Sequence, residues 1–159
     1  MSKSLKRVRA ALDAAGIETE IVEVTKARTA AEAAASLGCK VDQIANSIIL
    51  LGMESGTVRL FLTSGANRVD MSLASTIAGE PLGKADAAVI RAQTGFAIGG
   101  VAPLGHLTPI KAWFDPHLLS FPKIFAAAGT PRHLFAATPT KIMEVAAATP
   151  SNFTEIQKM

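Results

Sequence analysis

A glycine-rich segment from Gly95 to His106 carries the clearest chemical signal in the chain. Its adjacent glycines, Gly99 and Gly100, leave the backbone without side chains, so that amide N–H groups can approach a ligand closely. Pro103 restricts its own backbone and favours an extended conformation at Ala102, which stiffens the segment. Such a loop could hold a developing carbonyl oxyanion with backbone amides alone, although a tight turn between sheet elements has the same composition.

The standard signatures of nucleophilic and metal catalysis are absent from the sequence. There is no G-x-S-x-G nucleophile elbow, no G-x-x-x-x-G-K-[ST] and no G-x-G-x-x-G after a predicted strand. His106, His117 and His133 are too scattered to form a helical metal-binding pair, and Cys39, the single cysteine, has no base beside it. We therefore expect no metal site and no cofactor. A single thiol also excludes a disulfide framework within one chain and is typical of a reducing compartment.

The composition of the 159 residues is that of one globular domain. Apolar residues make up 49% of the chain and charged residues 18%, which excludes disordered, collagen-like and coiled-coil proteins. The formal net charge of +3 permits contact with a polyanion such as tRNA without requiring it. The N-terminal residues lack the apolar core of a signal peptide, and no apolar run approaches the ~20 residues that span a bilayer. We therefore expect a cytoplasmic protein with no membrane partner.

Helical and strand patterns predict an α+β fold. Leu5, Val8 and Leu12 recur at helical spacing, and four later helices are expected to begin at capping residues: Thr29, Asp70 or Ser72, Asp86, and Thr138. Strands are predicted at residues 21–24, 44–51, 57–63, 110–114, 123–127 and 134–137. Most connections between these strands are too short for parallel crossovers. We therefore predict a single domain over residues 1–159, with a mixed, mostly antiparallel, barrel-like sheet flanked by helices.

Several motifs occur in order along nearly the whole chain. They are Thr29–Gly38, Gln43–Leu50, Leu62–Gly65 with Arg68–Asp70, Ala85–Gly105 and Ala128–Pro131, and the strongest is T-G-F-A-I-G-G-V-x-P at Thr94–Pro103. As an ordered set they resemble the YbaK/prolyl-tRNA-synthetase-associated domain family, the stand-alone relatives of the editing domain of bacterial prolyl-tRNA synthetase. The resemblance implies a single α+β domain. It also implies hydrolysis, in trans, of the ester that joins a wrong amino acid to a tRNA, with prolyl tRNA carrying alanine or cysteine as the best-known substrates.

The resemblance also implies a catalytic loop. Its residues would line the aminoacyl pocket and contact the scissile carbonyl with their amides; they are Gly99, Gly100, Val101, Ala102 and Pro103. An aminoacyl ester is already activated, so positioning a water or using the ribose hydroxyl of the substrate could suffice without a protein nucleophile. The family carries a lysine in the strand motif I-x-K-S-L, and this chain has Asn46 there. Asn46 can donate hydrogen bonds but supplies no positive charge to a phosphate or an oxyanion.

Three cations are candidates to replace the family lysine in binding the substrate. They are Lys84, Arg68 and Arg132. Lys84 and Arg132 are also consistent with solvated surface side chains, and Arg68 is equally consistent with a surface ion pair to Asp70.

Five further residues are candidates for substrate binding. Ser47 follows Asn46 directly, so the two should point to opposite faces of the strand, and if Asn46 points into the pocket Ser47 is more simply explained as structural. The opposite pocket wall is expected to include Gly129, Thr130 and His133. His106 follows the glycine loop and could either contact the substrate or cap the loop.

Two functions are consistent with these residues. The first is a trans-acting aminoacyl-tRNA deacylase that binds the acceptor end of an aminoacyl-tRNA, with an aminoacyl-tRNA synthetase as a further candidate partner. The alternative is a non-catalytic module that binds aminoacyl-tRNA or aminoacyl-adenosine, because Asn46 replaces the family lysine. A cleft between Asn46 and the Gly99–Pro103 loop, with amides turned inward, would favour the enzyme.

Overall fold

Five α-helices lie within residues 2–24 and 27–156, the part of the chain that the computed structural model describes. In each case a side-chain oxygen of the preceding residue accepts a backbone N–H of the first turn; these residues are Ser2, Thr29, Asp70, Asp86 and Thr138. Such caps satisfy amides that have no partner inside the helix. The helices are α1 (Lys3–Ala14), α2 (Ala30–Leu37), α3 (Met71–Ala78), α4 (Ala87–Thr94) and α5 (Pro139–Val145).

The described residues also form eight strands in one mixed sheet. They are β1 (Ile21–Glu23), β2 (Ile44–Gly52), β3 (Val58–Ser64), β4 (Leu82–Lys84), β5 (Ala112–Phe114), β6 (Ile124–Ala127), β7 (His133–Ala137) and β8 (Ala148–Pro150). Their order is β1-β7-β6-β2-β3-β5-β8, with β4 also paired to β2. The pairs β2/β6, β3/β5 and β5/β8 are parallel and the others antiparallel. The predicted α+β class with a mixed sheet flanked by helices is confirmed.

Two short strands, β4 and β8, were not predicted from the sequence. Their segments, Leu-Gly-Lys and Ala-Thr-Pro, contain residues that are depleted in strands. They become strands because β2 and β5 offer them backbone partners. Tertiary pairing therefore outweighs weak local preference in both places.

Helices cover both faces of the sheet. The largest core cluster joins α1, α4 and α5 to one face, which includes Ala45 of β2 and Leu60 of β3. On the other face, Ile44 packs with α2 at one end of β2, and Leu50 packs with α3 at the other end. Asn46 lies between these two ends, on the same face as Ile44 and Leu50. Ile48 also packs against the cluster at the α3 end, so Asn46 is the residue of this face that lies between the two clusters.

One edge of β2 is interrupted in the middle. On that edge Ile44 and Ala45 pair with β6, and Leu50 to Gly52 pair with β4, whereas β3 runs along the whole opposite edge. No strand among the described residues pairs with residues 46–49 on the interrupted edge. The sheet therefore has a gap beside Asn46 and Ser47, and the backbone groups that point to this edge are not bonded to a neighbouring strand.

Candidate functional site

Two hollows meet at the gap in the sheet. The first has a volume of about 450 Å³ and the second about 360 Å³. Their lining residues overlap at Asn46, Ser47 and Gly99, so the two form one cleft with these residues at its centre. We call this the β2 cleft. It brings the strand motif and the glycine-rich loop together, as the sequence led us to expect.

Each hollow has a largely apolar wall and one cation at its rim. The first hollow is bounded by α2 and the β6–β7 turn, through Ala30, Ala33, Pro131 and others, and includes Arg28. The second hollow lies between β2 and α4. Its lining comprises Ile48, Ile49, Ala85, Ile90, Ile98 and Val101, together with Lys84. No acidic residue lines either hollow within the described part of the chain.

The glycine loop turns sharply at the cleft. The N–H of Gly100 donates to the C=O of Ala97 at 2.9 Å, and Gly99 has a φ of +84°, which a side chain would strain. A Cβ at Gly100 would lie 2.6 Å from backbone atoms of Thr130, so the loop is packed against the β6–β7 turn. The two glycines therefore serve different purposes: Gly99 allows the turn and faces the cleft, and Gly100 allows close packing.

Only part of the predicted catalytic loop lines the cleft. Gly99 and Val101 do, and no hydrogen bond within the described residues engages the N–H of either. The Gly100 amide is already bonded inside the turn, Ala102 is fully buried, and Pro103 lines a separate hollow beside His106. This differs from the expectation that all five residues would face a ligand. The reason is that consecutive residues of a tight turn point in different directions.

Arg7 of α1 holds both ends of the glycine-rich segment. Its Nε donates to the C=O of Gly105 at 2.9 Å, and its Nη2 donates to the C=O of Gly95 at 2.6 Å. The guanidinium also lies over the ring of Phe96, 4.3 Å from the ring centroid. The N-terminal helix thus fixes the loop from behind, a role that the sequence alone did not suggest.

His106 supports the loop rather than the cleft. Its Nε2 donates to the C=O of Ala102 at 2.7 Å, and it lines a hollow on the far side of the loop. Burial lowers the pKa of His106, because the charged imidazolium loses solvation, and the nearby Arg7 charge acts in the same direction. Of the two roles considered from the sequence, the geometry fits capping of the loop.

The lowered pKa of His106 predicts a loss of stability in mild acid. The unfolded chain binds the proton more tightly than the folded one, so the free energy of unfolding should fall as the pH drops below about 6.5. A single proton contributes at most about 1.4 kcal/mol per pH unit. Urea denaturation at pH 7.5 and pH 5 measures this change. His106→Gln keeps a side-chain N–H donor that does not titrate. The free energy of unfolding of this variant should therefore fall less between pH 7.5 and pH 5 than that of the wild type. An equal fall would contradict the assignment of this pH dependence to His106.

The cations at the cleft are only partly those predicted. Lys84 lines the second hollow, but Arg68 and Arg132 line neither. Asp70, the candidate ion-pair partner of Arg68, instead accepts the N–H groups of Ser72 and Leu73 as the cap of α3. Arg28 was missed by the sequence reasoning, although it is a basic residue immediately before the capping residue of α2. That position brings it to the cleft.

Asn46 and Ser47 both line the cleft, although they lie on opposite faces of β2. The predicted alternation is present, since Asn46 shares a face with Ile44 and Ser47 shares one with Ala45. Both reach the cleft because the gap opens through the sheet. Ser47 is therefore placed as a lining residue, and its Oγ is buried without a hydrogen-bond partner.

The remaining candidates from the β6–β7 turn lie behind the cleft. A Cβ at Gly129 would meet the C=O of Ser4 at 2.8 Å, so this glycine faces α1. The Oγ1 of Thr130 forms a hydrogen bond of 2.6 Å with Nδ1 of His133, and His133 lines a different hollow beside Leu5. These residues shape the turn, and its Pro131 is the one that lines the cleft.

Residues 2–24 and 27–156 contain neither a metal-binding cluster of side chains nor a membrane-spanning helix. No group of three or more histidine, cysteine, aspartate or glutamate side chains there is arranged to hold a metal ion. None of the helices in residues 2–24 and 27–156 is long and apolar enough to cross a membrane.

Comparison with known proteins agrees with the sequence resemblance. A solved structure described as a proposed trans-editing enzyme for prolyl tRNA synthetase is 43% identical, with a TM-score of 0.90 over 98% of this chain and 99% of that one. A scaffold protein used for computational epitope backbone grafting is 42% identical, with a TM-score of 0.90 over 99% and 100%. The uncharacterized protein YwhH of Bacillus subtilis (strain 168) is 28% identical over 142 residues, 89% of this chain and 90% of that protein.

A match to a family model supports the same assignment. The aminoacyl-tRNA editing domain matches residues 24–145, a range that contains the strand motif, the glycine loop and both hollows of the β2 cleft. The predicted resemblance is thereby confirmed. With its mixed sheet, its interrupted central strand and its glycine loop, the chain belongs to the aminoacyl-tRNA editing domain family.

Proposed function

We propose that the protein is a trans-acting aminoacyl-tRNA deacylase, which hydrolyses the ester of a mischarged tRNA in the β2 cleft. The observation that carries the proposal is the meeting of Asn46, Ser47 and Gly99 where the sheet is interrupted. This arrangement leaves backbone groups unpaired in a partly apolar cleft, where hydrogen bonds to a substrate are stronger than in water. Membership of the editing family supports the same activity.

In the proposed reaction the ester carbonyl lies against the turn at Gly99. The unengaged amides of Gly99 and Val101 are the donors available to the oxyanion, and they need no reorganisation as charge develops. A water attacks the carbonyl carbon, and the neighbouring ribose hydroxyl can orient that water by a hydrogen bond. The bond from that carbon to the ribose oxygen then breaks, and the ribose oxygen takes up the proton that the nucleophile releases. The side-chain amide of Asn46 can orient the substrate by donating a hydrogen bond.

The proposed substrate is a tRNA, such as tRNA-Pro, that carries a small amino acid such as alanine or cysteine. The apolar wall formed by Ile49, Ile90 and Val101 suits an apolar side chain. The similarity to a proposed trans-editing enzyme for prolyl tRNA synthetase supports the choice of tRNA and makes that synthetase a candidate partner. The reaction would take place in the cytoplasm, where tRNAs are charged.

The decisive experiment is a deacylation panel. Purified protein is incubated with tRNA-Pro carrying alanine, cysteine or proline, and with tRNAs carrying serine and threonine, and the loss of ester is followed against time. We expect faster loss of the small, non-cognate amino acids than in buffer, with proline retained. Loss at the uncatalysed rate throughout the panel would refute the deacylase.

The substitution Asn46→Lys distinguishes the deacylase hypothesis from the hypothesis of a non-catalytic binding module. Lysine restores a charge-assisted contact to the substrate, and such a contact exceeds a neutral one by about 1.4 kcal/mol, or roughly tenfold in affinity. If the protein is a deacylase, we expect the wild type to hydrolyse the substrate and the variant to have a KM about tenfold lower. A wild type that binds an aminoacyl-adenosine analogue without hydrolysis, and a variant that gains hydrolysis, would instead support the non-catalytic module.

A further inference from the structure

We infer that the unpaired edge of β2 at Ser47 recognises the free α-amino group of the substrate's amino acid. The inference rests on the proposed function and specifies which chemical group of the substrate the strand edge binds. It makes Ser47 a binding residue through both its backbone carbonyl and its hydroxyl. A substrate whose α-amino group is blocked should therefore be excluded.

The direction of the Ser47 backbone follows from the pairing of its neighbours. The C=O of Ile44 accepts from the N–H of Gly65 at 2.8 Å, and the N–H of Gly52 donates to the C=O of Thr57 at 2.9 Å. Both bonds lie on the β3 side of β2, and both involve even-numbered residues of β2. Backbone groups alternate between the two edges of a strand, so the C=O and N–H of Ser47 point to the other edge. That edge is the gap.

The Ser47 hydroxyl lacks a partner in the structure. Among the described residues, its Oγ and Nε of Arg59 are the buried side-chain polar atoms without a hydrogen bond. A buried polar atom in this state costs about 1–3 kcal/mol. Rotation about χ1 moves the hydroxyl between staggered positions, and a donor bound in the cleft would satisfy it. The orphaned hydroxyl is therefore consistent with a site completed by a ligand.

The geometry of an aminoacyl ester selects the α-amino group as that donor. The amino nitrogen is two bonds, or about 2.5 Å, from the carbonyl carbon. A carbonyl held at Gly99 therefore places the amino group near Ser47, because these residues meet at the junction of the two hollows. The adenine and the phosphates are separated from the carbonyl by the ribose. They suit the outer parts of the hollows, where Arg28 and Lys84 lie.

The hydrogen-bond acceptors at Ser47 are of the type that an amine can bind. Ser47 supplies a carbonyl oxygen and a hydroxyl oxygen, and the cleft has no acidic lining residue to hold the amine by charge. Recognition by neutral acceptors depends on the free N–H groups of the amine. An N-acetyl group removes two of the three donors of an ammonium group and adds bulk at the strand edge, so it should prevent binding.

The test measures binding of two non-hydrolysable probes by calorimetry. The probes are 3′-alanylamino-3′-deoxyadenosine with a free α-amino group and the same compound with that group acetylated. We expect the wild type to bind the free amine about 100-fold more tightly, as two hydrogen bonds to a charged donor allow. Ser47→Ala should reduce this ratio to about tenfold, and Ser47→Thr, which retains the hydroxyl, should restore most of it. Alanyl-tRNA and N-acetylalanyl-tRNA provide the matching comparison in deacylation.

The outcomes separate this inference from the deacylase proposal. Equal binding of both probes, or an equal loss of both on Ser47→Ala, would overturn recognition of the amine even if alanyl-tRNA is hydrolysed. Hydrolysis of N-acetylalanyl-tRNA within threefold of alanyl-tRNA would also overturn it. Preference for the free amine without hydrolysis of any tRNA would support the inference and refute the deacylase. Binding of neither probe together with no hydrolysis would refute both.

Discussion

Gly100→Ala is expected to lower kcat/KM for deacylation about 100-fold. The new Cβ would lie 2.6 Å from the Cα and C atoms of Thr130, well inside the 3.4 Å at which ordinary contact begins. These neighbours are backbone atoms of a turn between two strands, so the glycine loop must move instead. The movement displaces the adjoining Gly99 and Val101 amides from the carbonyl. A displacement of about 1 Å can cost a factor of 100 in rate.

The controls for this prediction come from other glycines. Gly79 has a φ of +80° and open space around its Cβ position, so Gly79→Ala should cost stability at the end of α3 without changing deacylation. Gly99→Ala should introduce a similar backbone strain, because Gly99 has a φ of +84°. The added Cβ would lie 3.7 Å from the side chain of Pro131, which is an ordinary contact distance. We expect Gly99→Ala to fold like Gly79→Ala but to lose activity. A folded Gly100→Ala protein within threefold of wild-type kcat/KM would contradict the role given to the loop.

Replacing Arg28 and Lys84 together with alanine is expected to weaken tRNA binding about 100-fold. Both side chains are exposed at the cleft, and no hydrogen bond or ion pair among the described residues engages either of them. If each contacts one phosphate near the acceptor end, its loss costs about 1.4 kcal/mol, or tenfold. The plot of log K, where K is the association constant, against log salt concentration has a negative slope. The magnitude of this slope should decrease by about one for each lost phosphate contact.

Arg68 and Arg132 are the matched controls for this double replacement. They are exposed cations of the same chain that line neither hollow, so Arg68→Ala with Arg132→Ala removes the same net charge elsewhere. Filter binding of a tRNA across a salt series should show little change for this pair. A larger loss for Arg68 and Arg132 than for Arg28 and Lys84 would mean that the tRNA does not enter through the β2 cleft.

The cleft also explains how an editing domain can lack the family lysine. Asn46 stands at the centre of the cleft, where a lysine would bring charge directly to the reacting ester. In this chain the cations lie further out, one in each hollow. In the mechanism that we propose, this arrangement would separate phosphate binding from the stabilisation of the oxyanion, which backbone amides would provide.

Local signals in the sequence were sufficient for the helix starts and for six of the eight strands in the described part of the chain. The side chains of Thr29, Asp86 and Thr138 cap the helices that they were expected to begin. Apolar runs marked β2 and β3, and glycines marked the loop that faces β2. These features were predictable because caps, periodicity and turn residues act within a few residues of one another.

Other features required the fold. The internal bond of the Gly100 amide depends on the shape of one turn, and the position of His133 away from the cleft depends on how that turn meets α1. Arg28 reaches the cleft only because α2 packs over the end of β2. None of these follows from residue type, since each depends on contacts between segments that are distant in sequence.

By itself the sequence determined the α+β class, the helix starts, the glycine loop, the position of Asn46 in the strand motif and the membership of the editing family. Only the tertiary structure decided that one edge of β2 is left unpaired at residues 46–49 and that Ser47, Gly99, Arg28 and Lys84 meet around that gap. The physical reason is the range of the interactions. A cap or a turn is stabilised by neighbouring residues, whereas a gap in a sheet exists only where two separate strands, β6 and β4, end short of each other.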